Sequence, residues 1–146
     1  MSGKPKLMTL DQYPTHITEK LRYCDTDRQG HINNAVYSTL CESGRVEFLY
    51  DSTQPFIQIG TQFVIVKLGI NFIEEMNWPG EVIVGSGVSS VGRSSFNLLQ
   101  GIFLSGKCMA TSESIIVLLD EKKRKSTPLS QATKDALISL IVVNPT

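Results

Sequence analysis

Fifteen consecutive residues, Tyr23-Cys-Asp-Thr-Asp-Arg-Gln-Gly-His-Ile-Asn-Asn-Ala-Val-Tyr37, concentrate the side chains of this chain that can do chemistry. Two aspartates, a glycine, a histidine and two asparagines close a β-like run and lead straight into an apolar helical segment. A carboxylate can attack a carbonyl or deprotonate water. A helix N-terminus offers oriented N–H donors without intrahelical partners and a partial positive charge, both suited to an oxyanion. Together these groups suit acyl transfer. Carboxylic acids of this type are ionised at neutral pH and need no activating partner. A serine–histidine nucleophile is disfavoured, because the only histidines stand at 16 and 31 and no nucleophile elbow is present.

The elements that must position this segment can be read from periodicity. His16 to Tyr23 reads as a first strand with Ile17, Leu21 and Tyr23 on one face. On such an extended chain Asp25 and Asp27 share a face. From Ala35 to about Asp51 the spacing is helical, with Tyr37, Leu40, Cys41, Gly44 and Phe48 on one side. Ser38, Glu42 and Arg45 form a narrow polar stripe, and Val36, Val46 and Leu49 add apolar surface elsewhere, so the helix should be wrapped by sheet. Gly44 costs up to about 1 kcal/mol in helix propensity, which the close approach of another backbone would explain.

Four strands follow. Val64, Val66, Leu68, Ile70 and Phe72 alternate, then Asn77-Trp-Pro-Gly80 turns the chain. Val82 to Val88 and Phe96 to Leu104 alternate on either side of a break at Gly92–Ser94, and Cys108 to Leu119 comes after a turn at Ser105-Gly106. Ser130 caps a final amphipathic helix at about 130–142. Residues 1–15, interrupted at Pro5 and Pro14, read as an extended arm. Residues 16–146 then read as a single domain of the α+β class, whose four later strands and the first one suit an antiparallel sheet curled around the helix.

Bulk properties exclude several functions. The 146 residues suffice for one domain with a proper core. Lysine plus arginine balances aspartate plus glutamate at 14 each, so nothing electrostatic favours nucleic acid or an anionic membrane. The run Lys122-Lys-Arg-Lys125 follows two acids and reads as a solvated turn with at most a weak pull on a phosphorylated ligand. Three cysteines without CxxC spacing argue for a reducing compartment and no disulfide framework. No metal site is expected from so few histidines. Without a signal sequence or a membrane-spanning run, a soluble cytoplasmic protein is expected.

The pattern Tyr23-x-Asp25-Thr-Asp27-x-x-Gly30-His-Ile-Asn33-Asn34-x-x-Tyr37 resembles the signature of the 4-hydroxybenzoyl-CoA thioesterase-like branch of the hotdog-fold acyl-CoA thioesterases. Gly80-Glu-Val82, Val91 to Phe96 and Arg124 to Pro128 resemble that family's later turns, so the likeness covers about residues 16 to 130. The resemblance implies a hotdog fold, with an antiparallel sheet of five or six strands wrapped around the long central helix, a homodimer or homotetramer built on a continuous sheet, and active sites at the subunit interface. It implies hydrolysis of an acyl-CoA or acyl-carrier-protein thioester, with no cofactor beyond the coenzyme A of the substrate. Asp27 is then nucleophile or general base, and a backbone N–H near Asn34 binds the thioester oxygen.

Around that pair other roles stay open. Asp27 alone could simply stabilise the turn before the helix. Asp25 supports the loop. His31 either orients water or substrate or is a packed, hydrogen-bonded residue. Asn33 and Asn34 tie the loop together through their amides, Gly30 permits positive φ or close ligand approach, and Tyr37 faces the substrate. Glu42 is the fallback base, as in another hotdog branch, unless it pairs with Arg45; Glu47 is a further rival. Lys67, Arg93, Ser94 and Ser95 are candidates for the coenzyme A phosphates. Cys24 and Cys41 read as small core residues. A hotdog hydratase or dehydratase would need a helix histidine that is absent here. A non-catalytic acyl-CoA-binding module would not need an intact aspartate.

Overall fold

The computed structural model describes residues 7–142. The first six residues of the expected arm and the last four of the chain lie outside the described residues.

The strong alternation of apolar residues in the second half produces long antiparallel strands. β1 (Thr15–Lys20), β2 (Thr61–Phe72), β3 (Glu81–Val91), β4 (Ser95–Leu104), β5 (Lys107–Asp120) and a two-residue β6 (Lys125–Ser126) form one sheet. Its spatial order is β1-β3-β4-β5-β2, with β6 on β5. Helix α1 (Asn34–Leu49) packs on β1, β3 and β4, and α2 (Gln131–Ser139) packs on β3. Ser130 caps α2, its hydroxyl accepting from the Thr133 N–H at 3.1 Å. The expected α+β curled sheet with a long helix is the observed architecture.

The core forms two apolar clusters under the two halves of α1. Leu21, Tyr37, Leu40, Met76 and Val82 belong to one, and Phe48, Phe56, Phe96, Leu118 and Leu137 to the other. A buried polar band crosses the sheet between them: Ser86 pairs with Gln100, and Gln100 with Ser112. The Gln100 amide donates to the Cys41 carbonyl at 2.9 Å and to Ser86 Oγ at 3.0 Å. Gly44 rests on this band. A Cβ there would meet Val84 Cγ1 at 2.7 Å and Gln100 Nε2 at 2.9 Å. The glycine is therefore required by side chains of the sheet, not by a second backbone.

Several expectations from the sequence need correction. The first strand stops at Lys20, and Tyr23–Asp25 turns as a 3-10 helix, so Asp25 and Asp27 do not share a strand face. Cys24 is consequently exposed, while Cys41 is buried. The alternation of β2 is broken by a bulge between Ile65 and Lys67. Val64 pairs with Val117 on the outer face, whereas Leu68 pairs with the fully buried Ser114 on the helix side. Residues 7–15 of the expected extended arm lie against the sheet. Leu10–Gln12 form a 3-10 turn, and the Tyr13 ring lies edge-on to Phe103 at 6.0 Å over the outer face of the sheet. Finally, α1 buries one face only: Val46 and Glu42 remain exposed.

Gly44→Ala gains up to about 1 kcal/mol of helix propensity but overpacks the polar band, which typically costs about 1–3 kcal/mol. Net destabilisation is expected in urea titrations; a raised unfolding midpoint would show that the contact with Val84 and Gln100 is not limiting.

Candidate active site

The loop from β1 to α1 is built by its own backbone bonds. Asn33 N–H donates to the Asp25 carbonyl at 2.9 Å, and Ile32 N–H to the Met76 carbonyl at 2.8 Å. Asp25 is buried, 4 % exposed, and its carboxylate accepts from the Arg22 backbone N–H and from the Arg22 guanidinium, both at 2.8 Å. That hydrogen bond holds the Arg22 guanidinium above its ordinary pKa. Asp25 is therefore the tie at the loop's base.

Asp27 stands at the tip in a small hairpin closed by a Thr26–Ile32 bridge. Its N–H donates to the His31 carbonyl at 2.8 Å, and its carbonyl accepts from Gly30 at 3.1 Å. Gly30 has φ +83° with open space around its Cβ position, so backbone conformation explains the glycine. The Asp27 Oδ1 atom accepts from the Gln29 N–H at 2.8 Å and the His31 N–H at 3.1 Å. Its Oδ2 atom has no partner among the described residues, and the side chain is exposed. Turn stabilisation thus occupies one oxygen of the carboxylate and leaves the other uncommitted.

Helix α1 begins immediately beyond. Asn33 is its N-cap, Oδ1 accepting from the Ala35 N–H at 2.9 Å, and the Val36 N–H donates to the Asn33 carbonyl. The Asn34 N–H finds no acceptor among the described residues. Asn34 and Tyr37 line an open groove of about 140 Å³ with Phe72, Ile73, Glu74 and Glu75. Tyr37 is buried, its hydroxyl donates to the Glu74 carbonyl at 3.1 Å, and its ring meets Phe72 edge-on at 5.1 Å. Burial pushes its phenol pKa up, so it stays a neutral wall. His31 is half-buried, with Nε2 3.2 Å from a Glu75 carboxylate oxygen. Phe72 to Glu75 were not singled out from sequence; a strand end crossing a helix N-terminus carries no local motif.

The remaining candidates lie elsewhere in the chain. Ser95 is level with Val64 through Val117, eight residues from Phe72 along β2, or about 26 Å at strand spacing. Arg93 and Ser94 precede it in the β3–β4 turn, and Lys67 is exposed near the middle of β2. The fold of the single chain does not gather these four around Asp27. Glu42 makes no ion pair with Arg45; it lines a groove of about 200 Å³ further along α1 with Val46, Phe63 and Ile65. Burial raises the Cys41 thiol pKa, which removes it as a nucleophile. Among the described residues no three His, Cys, Asp or Glu side chains converge as metal ligands, and no helix is long and apolar enough to cross a membrane.

A family model described as the thioesterase-like superfamily matches residues 21–137. Solved structures share the architecture. A predicted thioesterase from Bacillus stearothermophilus is 22% identical, with 89% of this chain and 98% of that one covered at a TM-score of 0.81. A probable thioesterase from Escherichia coli is 24% identical over 86% and 98% of the two chains, at 0.76. A thioesterase from Thermus thermophilus, solved with coenzyme A and Zn, is 25% identical over 86% and 98%, at 0.75. No significant match was found among curated proteins.

The division of labour between the two aspartates is testable by paired melting curves and assays. Asn33→Ala is expected to cost about 1 kcal/mol through loss of the N-cap. Asp25→Ala should destabilise more, because it unties the loop, whereas Asp27→Asn should melt within a few degrees of wild type. Equal melting of the Asp25 variant and the wild-type protein would refute the tie.

Proposed function

The chain belongs to the thioesterase-like superfamily, and on that premise we propose that it hydrolyses the thioester of an acyl-CoA, or of an acyl carrier protein, to free acid and thiol. The supporting observation is Asp27, held by two N–H groups on one carboxylate oxygen while the other is uncommitted, beside a helix whose Asn34 N–H is free to donate. The thioester carbonyl oxygen takes the Asn34 N–H, and the α1 N-terminus stabilises the charge that builds on it. Asp27 Oδ2 then acts in one of two ways. As general base it takes a proton from water while the water oxygen bonds to the carbonyl carbon. As nucleophile it bonds to that carbon itself, and water later cleaves the resulting anhydride. Either way the C–S bond breaks, the thiolate leaves and takes a proton, and the acid is released.

In this reading His31 is held by Glu75 and positions the loop, while Gly30, Asn33 and Tyr37 shape the substrate's approach. The coenzyme A of the substrate meets Lys67, Arg93, Ser94 and Ser95 from a second subunit. β2 supports that assembly: among the described residues it pairs only with β5, and Ile65, Val66, Leu68 and Phe72 are exposed along it. Two copies joined through β2 in antiparallel fashion would bring the Ser95 end of one protomer to the Phe72 end of the other. The three unpaired cysteines fit a cytoplasmic setting.

A panel of acyl-CoA thioesters with a thiol-reactive dye tests the activity. Turnover is expected, and Asp27→Asn should lower it at least about 10²-fold with the fold intact. Wild-type rates in that variant would end the assignment. Sedimentation should give a dimer or a multiple of it; a stable monomer would contradict the shared site.

A further inference from the structure

Between α1 and β2 the chain displays two isoleucines outward: Ile57 is 66 % exposed and Ile59 104 %. The segment carrying them is braced. Phe56 is buried and stacks on Phe48 at 5.7 Å, and the Pro55 carbonyl accepts from Thr133 Oγ1 at 2.6 Å. The Gln58 carbonyl accepts both the Thr61 N–H at 3.2 Å and its hydroxyl at 2.7 Å. Exposed Tyr50 shares a groove with Ile57, and further along the chain Ile65, Val66 and Leu68 are exposed on β2. A braced segment with exposed isoleucines that leads into an edge strand is suited to a second copy of the same chain.

Strand direction says where that copy is met. When β2 pairs with itself antiparallel over its twelve residues, Thr61 of one copy lies level with Phe72 of the other. The two-fold axis is perpendicular to the joined sheet, so both α1 helices lie on the same side. The chain preceding Thr61 then runs past Ile73 and Glu74 of the second copy. Those residues line the groove that holds the Asn34 N–H. The groove offers Phe72 and Ile73 on its sheet side and is open opposite them.

We propose that Ile57 and Ile59 of one protomer form the outer apolar wall of the acyl pocket of the other, selecting substrates whose acyl group is an uncharged hydrocarbon. This rests on the shared-site thioesterase reading above. It assigns acyl selectivity to a loop more than twenty residues from Asp27 in sequence and belonging to the opposite chain.

Two experiments separate this inference from the reading beneath it. In a Cys24→Ser background, the double variant Ile59→Cys/Glu74→Cys should form interchain disulfides under mild oxidation, and Ile59→Cys alone should not. A dimer that fails to cross-link overturns the inference, whether or not the protein proves to be a thioesterase. In kinetics, Ile57→Ser/Ile59→Ser should raise KM for long-chain acyl-CoA at least about tenfold while leaving acetyl-CoA nearly unchanged, the size expected for uncovering apolar surface. Mixed dimers of that variant with Asp27→Asn should recover about half of wild-type turnover, with the wild-type chain-length preference, because one of the two sites is then intact in both parts. Mixed dimers that keep the variant's preference place the isoleucines in their own subunit's site and overturn the inference.

Discussion

The buried carboxylate of Asp25 is the tie on which the site depends. It gathers the Arg22 backbone and guanidinium at the end of β1, while its own carbonyl takes the Asn33 N–H at the start of α1. A short, twisting stretch of chain is thereby closed at its base. What lies within the closure has few conformations left: the Asp27 hairpin with its positive-φ Gly30, then the N-cap. A buried carboxylate needs such partners in any case, because an unpaired charge there would cost far more than the bonds return. The cost of burying Asp25 is offset by the same contacts that fix where α1 begins.

That starting point matters because α1 cannot slide. Gly44 meets the Ser86–Gln100 band, and the Gln100 amide holds the Cys41 carbonyl. Shifting the helix by one residue would press a Cβ into Val84 and Gln100 and leave the amide without its acceptor. Buried polar groups of this kind specify one arrangement more than they add stability. The helix is pinned at its middle by the sheet and at its N-terminus by the loop, so the Asn34 N–H is fixed relative to the groove formed with Phe72 and Ile73.

Much of this was legible in the sequence, because period and composition report directly on burial. The four long strands, the turns at Asn77–Gly80 and Ser105-Gly106, the buried side of α1 and the cap at Ser130 all follow local patterns that the structure keeps. The failures have separate causes. Tyr23–Asp25 continues an alternating run but turns as a 3-10 helix, because Asp25 bonds back to Arg22. That bond moves Cys24 outward and separates the two aspartates. β2 alternates cleanly until a bulge at Val66 exchanges its faces, and no residue type there announces the change. The groove residues Phe72 to Glu75 come from a strand end distant in sequence, and Ile57 and Ile59 sit in an irregular loop where exposure has no periodic signature.

The distribution of hydrogen bonds over Asp27 bears on how the two candidate mechanisms compete. One oxygen is saturated by Gln29 and His31, which fixes the carboxylate plane and leaves Oδ2 as the atom with available lone pairs. For a nucleophile that fixity is an advantage, since attack requires a narrow approach to the carbonyl carbon. A general base tolerates more freedom, because a water molecule between it and the carbon absorbs small errors of position. On the proposed thioesterase reading, the hairpin therefore suits chemistry limited by aim. The pinning of α1 fits that preference, because it is the relative position of Oδ2 and the Asn34 N–H that such chemistry requires.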